Sequence, residues 1–197
     1  MAKYEPHDKF YRKARAMGLP SRAAFKIEEI IARNRLVANG ARVVDLGCAP
    51  GGWLAILVAA AGASGRVVGV DLAPVKNPPA GAIAIVGDIL DESVAARVHT
   101  ELGGRADLVT SDLAPKLTGI AARDEARSRE LLDTALTVAA TMLKPGGAMV
   151  AKLFMGGDFK EIVDSFKRHF GNVEVTRTKA SRPGSSELYI VARAFRG

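Results

Sequence analysis

The sequence predicts an α/β fold, a Rossmann-like, seven-stranded, mostly parallel sheet with one antiparallel strand and helices on both faces. From residue 42 onward, short apolar runs rich in β-branched residues alternate with segments of helical character. The first run ends abruptly in a Gly/Pro cluster, as a strand does before a tight loop and a helix. The last two runs are joined by a short polar segment that cannot form a crossover helix, so they should pair antiparallel.

The elements follow from hydrophobic periodicity and from turn residues. Strands are expected at residues 42–46, 66–71, 82–86, 106–111, 147–153, 172–178 and 186–194. Helices are expected at residues 53–62, 91–102, 124–143 and 157–169. Before them, Ser21 is the expected N-cap of a helix that runs to Arg33. Residues 1–40 should form a basic extension and helix that belong to the same domain as residues 41–197.

The charge of the chain is concentrated at its two ends. The formal net charge is +7 over 197 residues, with +5 on residues 1–40, −3 on residues 41–143 and +5 on residues 144–197. If the ends converge, they make one cationic face that suits a polyanion; the alternative is scattered, solvated Lys and Arg side chains. We expect no membrane partner, because the longest small-apolar run, residues 54–63, is far below the roughly 20 residues of a bilayer span.

Cysteine usage and the N-terminal residues indicate the compartment. Cys48 is the only cysteine, which excludes an intrachain disulfide and favours a reducing environment. The first residues contain no apolar stretch of the kind that a secretory signal requires. We therefore expect a cytoplasmic protein, and we expect it to be a monomer.

The stretch from Arg42 to Trp53 is the first candidate binding site. In open α/β sheets, ligands bind beyond the carboxyl ends of the strands, where a glycine loop lets backbone N–H groups approach closely. The spacing differs from a dinucleotide fingerprint and resembles the nucleoside-binding loop of S-adenosylmethionine (SAM) dependent methyltransferases. The alternative is a glycine turn that serves only packing. The residues expected to contact the cofactor here are Asp45, Gly47, Ala49, Pro50, Gly51, Gly52 and Trp53.

Acidic residues recur at the ends of successive strands. Asp71 closes the second strand, where an acid can accept hydrogen bonds from ribose hydroxyls. Asp88 follows the third strand, near the expected position of an adenine edge. With their neighbours Leu72 and Ile89, they complete the predicted cofactor site. Taken singly, each acid could instead be a helix cap or a turn residue.

Three charged residues near later strand ends, with one from the N-terminal helix, form the candidate catalytic group. Asp112 follows the fourth strand, Lys152 lies in an apolar strand where lysine is rare, and Glu187 opens the last strand. Lys26 could join them from its helix. Lys152 could instead extend its amine to solvent, and Glu187 could cap the strand or pair with Arg182.

The chemistry available to this group is transfer to a hydroxyl. The loop that begins at Asp112 lacks the Asn/Asp-Pro-Pro-Tyr pattern common in amine methylation, and Cys48 lies inside the cofactor loop, away from a nucleophile's position. Lys152 could accept the hydroxyl proton if burial and the like charge of Lys26 favoured its neutral form. It could equally stabilise a developing alkoxide while an acid orients the hydroxyl. No cluster of His and Cys suggests a metal.

Six motifs in register over nearly the whole chain resemble the FtsJ/RrmJ (RlmE) family of ribose 2′-O-methyltransferases. They are Ser21-Arg-Ala-Ala-Phe-Lys26, Val44-Asp-Leu-Gly-Cys-Ala-Pro-Gly-Gly-Trp53, Ser111-Asp-Leu-Ala-Pro115, Lys144-Pro-Gly-Gly147, Val150-Ala-Lys-Leu-Phe154 and Ser186-Glu-Leu-Tyr-Ile-Val-Ala192. Two departures are Cys48, where alanine is frequent, and a segment before Glu187 with fewer basic residues than the family pattern.

The resemblance implies an enzyme that uses SAM, with a Lys-Asp-Lys-Glu tetrad. The tetrad falls on Lys26, Asp112, Lys152 and Glu187, with Lys152 as proton acceptor. The implied SAM contacts fall on Gly51, Trp53, Asp71, Asp88 and Asp112. The implied substrate is a uridine 2′-hydroxyl of large-subunit (23S-type) rRNA in the ribosomal subunit.

The basic ends are candidates for RNA contacts that position the substrate without reading its sequence. A DNA partner is not expected. Methylation of tRNA ribose or of an RNA cap is an alternative within the same fold. An RNA-binding assembly module without catalysis is an alternative from another class, although a complete tetrad argues against it. The expected phosphate contacts are Lys9, Arg12, Lys13, Arg15, Arg22, Lys179 and Arg182.

Overall fold

The computed structural model describes residues 9–16, 18–19, 21–115, 118–156, 158–181 and 185–197, and in them a seven-stranded sheet is flanked by helices. The helices are α1 Lys9–Ala16, α2 Ala24–Asn34, α3 Gly52–Ala61, α4 Glu92–Leu102, α5 Ala121–Met142 and α6 Phe159–His169. The strands are β1 Arg42–Leu46, β2 Arg66–Asp71, β3 Ala82–Val86, β4 Ala106–Ser111, β5 Leu143–Phe154, β6 Phe170–Thr176 and β7 Glu187–Phe195.

The strand order confirms the predicted sheet. It is β3-β2-β1-β4-β5-β7-β6, and β7 runs antiparallel to both of its neighbours while the other pairs are parallel. Because β7 is reversed, its first residue lies where the other strands end. Glu187 is accordingly the register partner of Phe154, the last residue of β5. One edge of the sheet therefore collects the ends of β1 to β5 and the start of β7.

Both faces of the sheet are covered, which explains why its strands read as continuous apolar runs. Val44 and Leu46 of β1 pack into a core with α4, α5 and α6, and Val43 packs into a second core with α2 and α3. Ile27 and Ile30 of α2 are fully buried in that second core. The N-terminal helix that carries Lys26 is thus held firmly against the sheet. None of the described helices has both the length and the hydropathy needed to cross a bilayer.

Several predicted bounds differ from those observed by one to four residues, and two of these differences have a clear local cause. The helix predicted to begin after Ser21 begins at Ala24, because residues 21–26 first form i→i+3 hydrogen bonds; the Ser21 hydroxyl still accepts the Ala23 N–H at 3.0 Å. Strand β5 begins at Leu143 and not at residue 147, with a register shift against β4 that accommodates the Pro-Gly-Gly segment. The basic lead also contains a helix, α1, for which periodicity gave no indication.

Candidate active site

The glycine loop between β1 and α3 folds into a close-fitting turn. The N–H of Gly47 donates to the carbonyl of Val70 at 2.9 Å, and φ is +76° at Gly47 and +103° at Gly51, values that favour glycine. A Cβ on Gly47 would lie 3.0 Å from the Leu113 side chain, and one on Gly51 would lie 2.9 Å from Val75. The loop therefore needs glycine both for its backbone conformation and for its space.

Asp71 ties this loop to the neighbouring strand. Its Oδ2 accepts the N–H of Ala49 at 2.9 Å, and its Oδ1 accepts the N–H of Ala73 at 2.8 Å. Ala49 precedes Pro50 through a cis peptide bond. Each oxygen of Asp71 retains a further lone pair, which leaves the carboxylate able to accept hydroxyl hydrogen bonds as predicted.

The other strand-end residues flank the same edge. Asp88 is exposed, and its Oδ1 accepts the N–H of Leu90 at 3.0 Å, which orders the turn after β3. Leu72 is 74% exposed, whereas Ile89 packs partly against the main core. The described residues contain no group of three or more His, Cys, Asp or Glu side chains arranged to bind a metal ion.

Asp45 at the end of β1 is fully buried. Its Oδ1 accepts the Thr110 hydroxyl at 2.7 Å, and its Oδ2 has no hydrogen-bond partner in the described structure. Burial raises the pKa of Asp45 to about 8, and the negative charges of Asp112 and Asp71 add to this effect, while the Thr110 hydrogen bond opposes it. At neutral pH the carboxyl is therefore largely protonated.

The predicted tetrad comes together as two ion pairs, the first between Lys26 of α2 and Glu187 of β7. Lys26 Nζ lies 2.6 Å and 2.8 Å from the two oxygens of Glu187. The side chains are 14% and 13% exposed. Burial of Glu187 raises its pKa, but the hydrogen bond and charge of Lys26, with the Tyr189 hydroxyl, outweigh burial and hold the pKa below its ordinary value. Glu187 is thus a stable carboxylate.

The second ion pair joins Lys152 of β5 to Asp112. Lys152 Nζ lies 2.7 Å from Asp112 Oδ1 and 5.7 Å from the centroid of the Phe154 ring, and Lys152 is 11% exposed. Burial raises the pKa of the Asp112 carboxyl, although the positive charges of Lys152 and Lys26 oppose the rise. Because each pair also acts electrostatically on the other's carboxyl, the four groups form one cluster.

Two supporting residues were missed from the sequence. The Tyr189 hydroxyl donates to Glu187 Oε1 at 3.1 Å, and strand alternation places residue 189 on the same side as residue 187. Thr110 is the register partner of Asp45 on the adjacent strand.

Trp53 was predicted to contact the cofactor, but its ring is buried, and its indole N–H donates to the carbonyl of Ala23 at 3.0 Å. Only its backbone N–H remains suitable for that predicted role.

The two basic ends of the chain converge beside the tetrad. Ala14 of α1 packs with Phe25 and Ala180 in a small apolar cluster, and the Arg22 guanidinium donates to the carbonyl of Ala180. Lys13 lies 4.7 Å from the centroid of the Phe25 ring. Arg12, Arg15 and Lys179 are exposed. Arg182 lies outside the described residues, and of Lys9 only the helical backbone is described. The predicted RNA contacts that are described thus remain predictions, on a surface that the fold brings together.

The chain is similar in sequence to a known protein family and to named relatives. The model of the FtsJ-like methyltransferase family matches residues 19–195. A ribosomal RNA large subunit methyltransferase E of Anaeromyxobacter dehalogenans is 49% identical over 200 residues, covering 100% of this chain and 74% of the relative. Another protein of that name, from Methanoculleus marisnigri, is 47% identical over 190 residues, covering 96% of this chain and 92% of the relative.

Solved structures support the fold. A Plasmodium falciparum protein assigned as a ribosomal RNA methyltransferase superposes with a TM-score of 0.77 at 23% identity, covering 90% of this chain and 98% of that one. Fibrillarin of Aeropyrum pernix, solved with bound S-adenosyl-L-methionine, superposes with a TM-score of 0.54 at 18% identity, covering 79% and 67% of the two chains. At these identities the likeness concerns the fold alone. The family model matches residues 19–195, which is most of the sequence. The chain therefore belongs to the FtsJ-like methyltransferase family.

Proposed function

We propose that this protein transfers a methyl group from SAM to a ribose 2′-hydroxyl, most specifically that of a uridine in large-subunit rRNA. The observation that carries the proposal is the meeting of two partly buried Lys–carboxylate pairs, Lys26–Glu187 and Lys152–Asp112, at the sheet edge that also holds the glycine loop. Two cations and two anions next to a nucleotide-type loop suit a reaction in which a neutral hydroxyl must lose a proton.

The residues present fit SAM as the methyl donor. The loop turns at Gly47 and Gly51 with positive φ angles, as the nucleoside-binding loop predicted here requires, and Asp71 has lone pairs left for ribose hydroxyls. Exposed Leu72 and Leu90 flank Asp88, which suits an adenine ring with an acid at its edge. When bound, SAM supplies an activated methyl group that a nucleophile can attack in line.

The tetrad then performs the proton chemistry. The ribose hydroxyl that a bound SAM would methylate must give up its proton. The Lys152–Asp112 pair holds one proton between its nitrogen and oxygen, and when that proton lies on Asp112 the amine of Lys152 can accept the proton of the hydroxyl. Asp112 lies 2.7 Å from that nitrogen, and because burial raises the pKa of its carboxyl, the pair can share the arriving proton. The Lys26–Glu187 pair keeps its charges fixed at the other side of the cluster, where it orients the ribose.

The substrate is inferred from the relatives and from charge. The relatives named as large-subunit rRNA methyltransferases match essentially the whole chain. The converging basic ends beside the tetrad supply phosphate contacts that position RNA. We propose that the assembled large subunit or its rRNA is the partner, and that the enzyme works in the cytoplasm where that particle is available.

The test uses the purified protein with tritium-labelled SAM. Large ribosomal subunits, free rRNA and bulk tRNA from a strain that lacks the gene are incubated separately, and the label is mapped to base or ribose. We expect label on a ribose 2′-oxygen of subunit rRNA. Label confined to tRNA would change the substrate and keep the chemistry, whereas label on a base would overturn the chemistry. Bound SAM with no label in any pool would favour a non-catalytic assembly module.

A further inference from the structure

A cavity opens beside the tetrad, and Leu113, which also lies against Gly47 of the glycine loop, is one of its lining residues. It has a volume of about 290 Å³ and lies between β5, the first half of α5 and the start of α6. Buried Leu132, Leu153 and Ile162 form its closed end, and exposed Met155 lies at its open end. Its volume is near the lower limit of sites for small organic ligands. The proposed proton transfer uses Lys152 from this lining and assigns no role to the rest of the cavity.

The cavity is continuous with the catalytic group. Lys152 is one of its lining residues, and the adjacent wall is the Phe154 ring, whose centroid lies 5.7 Å from Lys152 Nζ. In a nucleotide, the base is attached to the ribose carbon next to the one that carries the 2′-hydroxyl. A ribose presented to Lys152 therefore places its base within a few ångströms of this opening.

The lining suits a flat, uncharged ring and disfavours a phosphate. Phe154 and Phe159 offer aromatic surface, and the hydroxyl of Ser128, which donates to the carbonyl of Asp124 at 2.8 Å, can still accept a hydrogen bond. The rim carries the carboxylates of Glu125 and Asp158, which repel anions.

The cation of the cavity wall is already neutralised. Arg129 lies 2.8 Å from Asp133, 3.8 Å from Asp158 and 3.5 Å from Glu161. It is therefore not a free phosphate receptor. The exposed basic side chains of α1 and of Lys179 belong to other elements, which leaves the backbone of the RNA to them and the cavity to a base.

We propose that this cavity receives the base of the nucleotide whose ribose is methylated. The proposal rests on the proposed function and adds that the target nucleotide is drawn out of its stack, with its base held between Phe154 and the apolar floor. Removing a base from its stack costs a few kcal/mol, which favours a target in a loop or another weakly stacked segment of the RNA.

A pair of matched substitutions on α5 tests the proposal. Ser128→Trp fills the cavity without removing any side-chain partner, since the Ser128 hydroxyl bonds only to its own helix among the described contacts. Thr137→Trp is the control, because Thr137 makes the same i−4 hydrogen bond at 2.9 Å on an exposed part of the helix. Both proteins are checked for SAM affinity and for thermal stability.

We expect Ser128→Trp to lower kcat/KM for the RNA substrate by on the order of 100-fold while SAM affinity is kept, because the ribose can no longer seat its base. Thr137→Trp should match the wild-type protein. Wild-type kcat/KM in Ser128→Trp would overturn the base site and leave the proposed function standing. A wild-type protein that transfers no methyl to ribose would overturn the proposed function, and this is known before the variants are compared.

Methyl NMR with uridine 5′-monophosphate tests occupancy without catalysis. With S-adenosylhomocysteine bound, the nucleotide at millimolar concentration should shift the methyl signals of Leu132, Met155 and Ile162 in the wild-type protein and in Thr137→Trp. The same titration should leave them unshifted in Ser128→Trp. If the wild-type signals do not move, or move equally in Ser128→Trp, the base site is wrong whatever the activity assays give.

Discussion

The two halves of the ligand-bearing edge hold their acidic side chains in different ways. At the ends of β1, β2 and β3, Asp45, Asp71 and Asp88 form no ion pair in the described structure and are held by a hydroxyl or by backbone N–H groups. At the ends of β4 and β5 and the start of β7, Asp112 and Glu187 each have a lysine within 2.7 Å. The first half thus keeps Asp71 and Asp88 accessible to a ligand and Asp45 buried, whereas each acid of the second half is paired with a lysine.

The pKa values show what this difference does. Asp45, fully buried without a cation, has a pKa of about 8, whereas Glu187, partly buried and bonded to Lys26, has a pKa below its ordinary value. Burial dominates where no counter-ion is present, and a counter-ion reverses its effect. The same sheet edge therefore holds one largely neutral carboxyl and one permanent carboxylate.

Removing Lys152 should have the largest effect on activity, because Lys152 Nζ is the proposed acceptor of the hydroxyl proton. We expect Lys152→Ala to lower the rate of methyl transfer by about 10²–10⁴-fold, with SAM binding and RNA binding kept. Single-turnover kinetics with labelled SAM measures the rate, and calorimetry measures the affinity. Lys152→Arg is the control that separates two roles, since arginine keeps the charge but cannot accept a proton. Activity of Lys152→Arg near that of wild type would contradict the role of proton acceptor.

Asp45→Asn tests whether the Asp45 carboxyl is neutral in the folded protein, through the pH dependence of the free energy of unfolding. The pKa of Asp45 rises from 3.8 to about 8 on folding, so its contribution to the free energy of unfolding is largest below pH 4 and falls as pH increases through 8. The amide cannot ionise, so Asp45→Asn should lose less stability than wild type over this interval, by a few kcal/mol at most. Urea unfolding of both proteins at pH 5 and pH 8 measures the difference. Parallel pH profiles would mean that Asp45 does not bind the proton in the folded state.

Glu187→Gln tests the opposite case, a carboxylate whose pKa is lowered by its counter-ion. The pKa of Glu187 is lowered from 4.5, so its contribution to stability is present above that pH and is lost as the pH falls through the folded-state pKa. Glu187→Gln should destabilise the protein by about 1–3 kcal/mol at neutral pH, because Lys26 is left buried without its counter-ion. The loss should shrink below pH 4. An equal loss at pH 3 and pH 7 would indicate a packing effect.

Gly47→Ala changes the contact between the glycine loop and the segment that follows β4. It should have the smallest effect on stability of these substitutions. A Cβ there meets Leu113, the residue after Asp112, and φ is +76°. We expect a loss of about 1 kcal/mol with weaker SAM binding. The control is Gly103→Ala at the end of α4, where φ is +66° and no atom lies within 4 Å of the new Cβ. Gly47→Ala should lose more stability than Gly103→Ala, because only its Cβ meets Leu113, and only Gly47→Ala should lose SAM affinity.

The sequence was sufficient to predict which charged residues lie at strand ends. It was not sufficient to predict properties that depend on contacts between distant segments of the chain. Asp112, Lys152 and Glu187 were placed at one edge because parallel strands end together and β7 had to be reversed. The raised pKa of Asp45 could not be predicted, because it results mainly from complete burial by segments distant in sequence. The cavity beside Lys152 is also absent from any local pattern, since α5, β5 and α6 each supply part of its wall.

The reversed strand also sets when the active site can exist during synthesis. Lys26 is translated 161 residues before Glu187, its partner, and β7 lies between β5 and β6, joining β6 to the sheet. While β7 is still inside the ribosome, β5 has an open edge and Lys26 lacks its counter-ion. A nascent chain can thus complete much of its hydrophobic core before it completes its catalytic group. On the proposed catalytic assignment, methyl transfer requires the last strand, and a chain that lacks this strand should be inactive.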